Sequence, residues 1–233
     1  MEIEVNIDKF TAFASAVEAG IPINSSYAHK CMDKLRPSLV WTGRQIDASL
    51  PGPCDVLSKG SYGAAVEAVS LVSFGLIRPA MLSLRSYYEL SLQYLYYRDH
   101  PVEWRSVTEF RTRPILPASA KNYLRDNFPN FDSRFKTLLG VKTRNNKDCY
   151  DVLSGIAHGT AINSISTATE PADLLESENV VSQSVDIFED VGEHTCDIFV
   201  ASFEGNWLSI PEETRSDLRA RFEGKEPRAE LSF

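Results

Sequence analysis

Apolar residues recur every three or four positions along most of this chain, the spacing that lines one face of an α-helix. The clearest case runs from Leu76 to Arg98. There Ile77, Met81, Leu84, Tyr88, Leu92 and Leu95 form one stripe, and Tyr87, Leu90, Tyr94 and Tyr97 form a second. A helix that is apolar on two sides belongs at the centre of a bundle. Pro79 falls in its first turn or bends its join with the preceding helix, and "DHP" at 99–101 stops it.

Other segments follow the same rule. "EIEVNI" at 2–7 alternates polar and apolar, as a short strand or extended arm would. From Asp8 the pattern turns helical through Phe10, Phe13, Ala14 and Val17, and Gly20 is the expected stop. Asn24, Ser25 and Ser26 offer N-caps for a second helix that Pro37 should kink or split before "PGP" at 51–53. A third helix spans Cys54 to Phe74, with Gly60, Gly63, Ala64 and Ala68 leaving room for a close neighbour. Residues 100–145 read as short helical pieces between prolines, and a helix is expected from Lys147 to about Ser164. An acidic loop containing Pro171, a long helix from about Ser177 to Phe203, a short capped helix in "SIPEETRSDLRARF" and a polar tail, frayed until its last residues, complete the chain.

The fold class is therefore all-α: about five main helices with extra N-terminal helices. Residues 1–50 form an N-terminal arm and helices packed on the core, 51–210 the bundle with an irregular basic connector at 98–147, and 211–233 a short C-terminal helix and tail. With 233 residues, 43% of them hydrophobic, the chain can bury a core that needs no staple.

Charge sharpens the picture. The net charge of −8 argues against nonspecific coating of nucleic acid. Yet residues 98–147 hold 11 Lys and Arg against 5 Asp and Glu, whereas 167–200 hold 9 acidic residues and no Lys or Arg. This polarity suits an anionic ligand on one surface and a partner on the acidic helix 177–203, although a solvated connector beside a solvated helix has the same composition. Cysteines 31, 54, 149 and 196 form no CxxC pair and alternate with no histidine at ligand spacing, so no metal site or cofactor is expected. The acidic start lacks an apolar signal core, and no apolar run nears the roughly 20 residues of a membrane span, so a reduced, cytoplasmic protein is expected.

Two polar insertions interrupt apolar helices. Arg85 and Glu89 are four apart and share a face within the aromatic stretch. Burying both charges would cost several kcal/mol per ion unless each is hydrogen-bonded. Ser154 and His158 are also four apart, in "LSGIAHG", with Gly155 and Gly159 leaving room beside them. We expect the two helices to meet and form one polar cluster. Two roles fit it. Either the network fixes helix register, or His158 is a general acid/base tuned by Glu89 while Arg85 stabilises negative charge on a phosphate. "KTRNNK" at 142–147, just before the His158 helix, offers Lys142, Arg144 and Lys147 as phosphate contacts or as a solvated turn. Nucleotide-binding glycine loops, a GxSxG elbow and HExxH are absent from the sequence.

"LIRPAMLSLRSYYELSLQYLYYRDHPVEW" followed by "LSGIAHG" resembles an uncharacterised bacterial group grouped with HEPN-like helical proteins, over about residues 55–165 and the following long helix. The resemblance implies a helical bundle that commonly dimerises, found in bacterial or phage defence and toxin–antitoxin settings, where some members cut RNA. The matching positions here are Arg85, Glu89, Ser154 and His158. One departure stands out: HEPN ribonucleases carry R-x4–6-H within one helix, and the arginine nearest before His158 is Arg144, fourteen residues away. The expected function is thus a protein-interaction or ligand-binding module, with metal-independent cleavage of RNA or action on a nucleotide through His158 and Arg85 as the alternative. A homodimer is the expected assembly.

Overall fold

Ten α-helices and two short 3-10 turns, with no strand, make up the described residues, 7–48, 52–146, 148–159 and 167–233, of the computed structural model of this chain. Helix α1 spans Ile7–Ala48, α2 Asp55–Ser73, α3 Ile77–Tyr97, α4 Pro101–Phe110, α5 Pro117–Asn127, α6 Phe131–Gly140, α7 Cys149–His158, α8 Glu178–Ala201, α9 Glu212–Arg221 and α10 Pro227–Glu230. The 3-10 turns are Pro171–Leu174 and Trp207–Ser209. The all-α expectation therefore holds. No helix among the described residues is long and apolar enough to cross a membrane.

Helices α2 and α3 form an antiparallel hairpin turned at Gly75, whose φ of +74° is one that residues with a Cβ rarely adopt. Cys54 lies against the Tyr97 carbonyl, Ser61 against Ser91, and Gly60 against Leu90, so the register runs in opposite directions along the two helices. Buried Ala64, Ala65 and Ala68 keep the pair close. Both apolar stripes of α3 are buried, as its two-sided pattern requires. The Tyr87 hydroxyl donates to Ser38 Oγ at 2.7 Å and so ties α3 to α1.

The N-terminal region differs from its sequence pattern. Gly20 does not end a helix, and neither Pro22 nor Pro37 splits one; all three lie inside α1, a single helix of 42 residues. A proline removes one hydrogen bond locally, and around Pro37 the burial of its neighbours outweighs that loss. Cys31, Leu35, Leu39 and Trp41 are buried, and the Trp41 ring stacks near Phe199 and meets Phe203 edge-on. The Pro37 carbonyl accepts from Thr214 Oγ1 at 3.0 Å. The more exposed first half is held from outside: Lys9 pairs with Glu170 at 2.6 Å, and the Tyr27 hydroxyl donates to Glu178 at 2.9 Å. The strand or arm expected at 2–7 lies outside the described residues except for Ile7, which opens α1. The extension of the His158 helix to Ser164 lies outside them too, beyond Gly159.

Helix α8 is the spine. Its first half is partly exposed, whereas every residue from Asp190 to Ala201 is buried. The basic connector is built of α4, α5 and α6, with α5 and α6 contributing Ala120, Leu124, Phe131 and Leu138 to the core. The C-terminal tail is folded as well. Arg134 donates Nε to the Leu231 carbonyl at 2.9 Å, its guanidinium lies 4.0 Å from the Phe233 ring centroid, and Leu231 is buried.

Gly192 shows how tightly α1 and α8 approach. A Cβ at this position would collide with the Lys34 carbonyl oxygen and sit 3.2 Å from the Leu35 Cα, both backbone atoms that cannot swing away. Gly192→Ala should therefore destabilise the protein by roughly 1–3 kcal/mol, even though alanine is by itself the better helix former by about 1 kcal/mol. Urea unfolding checks this; a variant as stable as the parent would mean that the two helices separate freely.

Candidate functional site

Arg85 and His158 are 73 residues apart and meet between α3 and α7, with Arg85 Nη1 3.3 Å from His158 Nε2. An arginine only donates, so Nε2 must accept, and in this arrangement the imidazole presents a lone pair to the guanidinium. Arg85 Nε donates to Glu89 Oε1 at 2.7 Å, one helical turn on. Arg85 Nη2 donates to the Tyr150 hydroxyl at 3.0 Å, which in turn donates to Glu89 Oε1 at 3.1 Å. The circuit Arg85–Tyr150–Glu89 is closed, and the Arg85 guanidinium also lies 5.2 Å from the Tyr150 ring centroid.

The cluster lies at the surface. Arg85 and Glu89 side chains retain 18% and 27% of their exposure, and His158 is exposed. The pair is thus partly solvated, which removes most of the burial cost that the aromatic sequence around it suggests. Burial by itself would depress the Arg85 pKa, but the bonds and charge of Glu89, with help from Tyr150, raise it instead. The Tyr150 pKa is raised, first by burial and then by Glu89, so the phenol keeps its proton at neutral pH.

Local sequence accounts for this placement. Asp148 caps α7 by accepting from the Tyr150 N–H at 3.0 Å. Gly159, at φ +60°, closes the other end, and its N–H returns to Gly155 and Ile156. His158 therefore sits in the last turn, level with Arg85. Ser154 lies on the same side of α7, partly exposed, but takes no part in the hydrogen bonds of the cluster. Tyr150 is the member the sequence pattern did not single out. Its signal was its spacing: 150, 154 and 158 are each four apart on one helix face.

The basic segment before α7 has a different fate. Arg144 does not face solvent: its side chain is fully buried, Nη1 bonds to Glu193 at 2.6 Å, and it pairs with Asp197 as well. Arg221 from α9 meets Asp197 at 2.8 Å on the other side. Thr143, through its N–H and hydroxyl, and the Arg144 N–H all donate to the Glu193 carboxylate, while Asn145 and Asn146 donate to Asp190. Lys142 is partly buried and donates to the Arg144 carbonyl at 2.7 Å. In this arrangement Arg144 is unavailable to an incoming anion, because guanidinium and carboxylates neutralise one another inside. Lys147 lies outside the described residues. Three of the acidic residues of α8, Asp190, Glu193 and Asp197, point into the molecule by the same contacts. Glu193 illustrates the balance: burial pushes its carboxyl pKa up, but Arg221, Thr143 and Arg144 outweigh that and hold it below the ordinary range.

Removing one member of this network strands its partners in a dry interior. Arg144→Ala should cost on the order of 3–5 kcal/mol, measured by denaturant unfolding, far more than loss of an exposed arginine such as Arg105. A loss below about 1 kcal/mol, the range of surface pairs, would show that water reaches the cluster. No family model, curated protein or solved structure matches this chain.

Proposed function

We propose that the α3–α7 surface recognises a phosphodiester and that the chain is a metal-independent ribonuclease of HEPN-like type, in a bacterial or phage defence or toxin–antitoxin setting. The single observation that carries the chemistry is the 3.3 Å approach of Arg85 to His158 from two different helices. It supplies in space the Arg–His pair that the chain lacks within one helix. The setting rests on the sequence resemblance alone.

The geometry suits in-line attack of a 2′-hydroxyl on its neighbouring phosphorus. His158 Nε2, once its lone pair is released from Arg85 Nη1, takes the 2′-hydroxyl proton as the new P–O bond forms. The charge developing on the phosphoryl oxygens is met by Arg85, whose guanidinium has five N–H donors and uses three on Glu89, Tyr150 and His158. The P–O5′ bond breaks, and the 5′ oxygen leaves with a proton from water. The products are a 2′,3′-cyclic phosphate and a 5′-hydroxyl. Glu89 and Tyr150 position the guanidinium, and no step needs a metal.

A second reading has its own observation. Arg85 already holds three partners and bridges α3 to α7. In that reading the cluster is a clasp in a non-enzymatic interaction or ligand-binding module.

Cleavage of single-stranded RNA in the presence of EDTA separates the two. His158→Ala should lower the rate roughly 10²–10⁴-fold and Arg85→Ala by roughly 10²–10³-fold. Because His158 is exposed, its loss should change stability by less than about 0.5 kcal/mol. If the parent leaves RNA uncut and Arg85→Ala melts several degrees lower, the clasp is the correct reading and catalysis is not.

A further inference from the structure

We propose that Asp148, Cys149 and His194 form a binding site for one divalent metal ion of the zinc class, which fastens α7 to α8 behind the Arg85–His158 surface. Their ligand atoms, one carboxylate oxygen, one thiol sulfur and one imidazole nitrogen, all lie within 4.8 Å of one another. Cys149 Sγ is 3.2 Å from His194 Nδ1, and Asp148 Oδ1 is 3.9 Å from the same nitrogen. Tetrahedral zinc with bonds of about 2.3 Å to sulfur and about 2.0–2.1 Å to nitrogen and oxygen sets its ligands about 3.3–3.6 Å apart. The observed triangle reaches that face by small side-chain shifts.

The donor nitrogen is unprotonated, and a metal would take its lone pair from the Cys149 N–H. The backbone N–H of Cys149 points at His194 Nδ1 from 3.3 Å, and an N–H can only donate. Nδ1 therefore carries its lone pair on the side of Cys149. Binding breaks the Cys149 S–H bond, forms an S–metal bond and sends the proton to solvent. With Cys149 and Asp148 as anions, a divalent cation is neutralised.

An independent feature points to the same place. Tyr88 is fully buried, and its hydroxyl has no hydrogen-bond partner among the described residues. Its ring lies 5.5 Å from His194, and Cys149 and Asp148 are the charges that act on it most strongly. A buried hydroxyl with no partner is destabilising. A metal-bound water in the fourth position would satisfy it, and the Asp148 side chain, 36% exposed, gives that water a route.

The cations nearby are spoken for. Lys121 bonds to Asp148 Oδ2 and leaves Oδ1 with the Tyr150 N–H alone, while Arg144 is held by Glu193 and Asp197. The consequence reaches the surface through Tyr150. It follows Cys149 in sequence, stacks on Tyr88 at 5.9 Å and touches both Arg85 and Glu89. The site stands whether or not the surface cuts RNA.

Cobalt titration of the chelator-treated full chain tests it, because a thiolate ligand gives a sulfur-to-cobalt charge-transfer band. One equivalent should bind and give that band. Cys149→Ser should abolish it, and His194→Gln should weaken binding by more than about 100-fold, beyond the 10–100-fold of losing an outer-shell partner. Cys54→Ser, whose thiol contacts the Tyr97 carbonyl far along the bundle, should leave the titration unchanged. No band from the parent chain, or a band that survives Cys149→Ser, overturns the proposal. Should either variant fail to fold, X-ray absorption of the zinc-loaded parent decides: one sulfur among nitrogen and oxygen ligands is expected, and none or more than one refutes the site.

Discussion

The burial of Arg144 is the constraint on which the rest of the arrangement depends. A guanidinium with no exposed surface is tolerable only when carboxylates meet it, and Glu193 and Asp197 on α8 do so from adjacent turns. Arg221 brings a second cation to the same carboxylates from α9. The network thereby fastens two parts of the chain, the segment after α6 and α9, to the buried half of the spine α8. Since Thr143, Asn145 and Asn146 spend their N–H groups on Glu193 and Asp190, the chain direction entering α7 is also fixed.

That direction sets the surface site. Asp148 caps α7, Cys149 sits against His194, and Tyr150 follows with its ring on Tyr88 and its hydroxyl between Arg85 and Glu89. Two further turns place His158 beside Arg85. The site is therefore half surface and half interior. Arg85, Glu89 and His158 keep part of their surface in solvent, while the residues that hold them continue without a break into the core. A single aromatic, Tyr88, lies between the two.

The two prolines and the glycine of α1 carry a related lesson. Each weakens a helix locally by a known amount, and the sequence pattern gives Gly20 as a stop and Pro37 as a kink or split. The chain continues through Pro37 because Leu35, Leu39 and Trp41 are buried beside it and Gly192 admits the α1 backbone to close range. Local preference loses when the alternative is to expose a core face.

The sequence by itself determined the helical class, the two helices that become α2 and α3, and the central place of α3, because periodicity in apolar residues is a local property that survives any arrangement of the helices. It also named Arg85, Glu89 and His158 as polar residues out of place in apolar helices. Tertiary structure alone decided where charges went. A run of basic residues at 142–147 and a run of acidic residues in α8 look alike whether they face water or each other, and only folding shows Arg144 inside with Glu193 and Asp197. The same holds for Cys149 and His194, 45 residues apart and 3.2 Å from contact to contact. Their pairing depends on how α7 crosses α8, and helix crossing is set by packed surfaces that no single stretch of sequence contains.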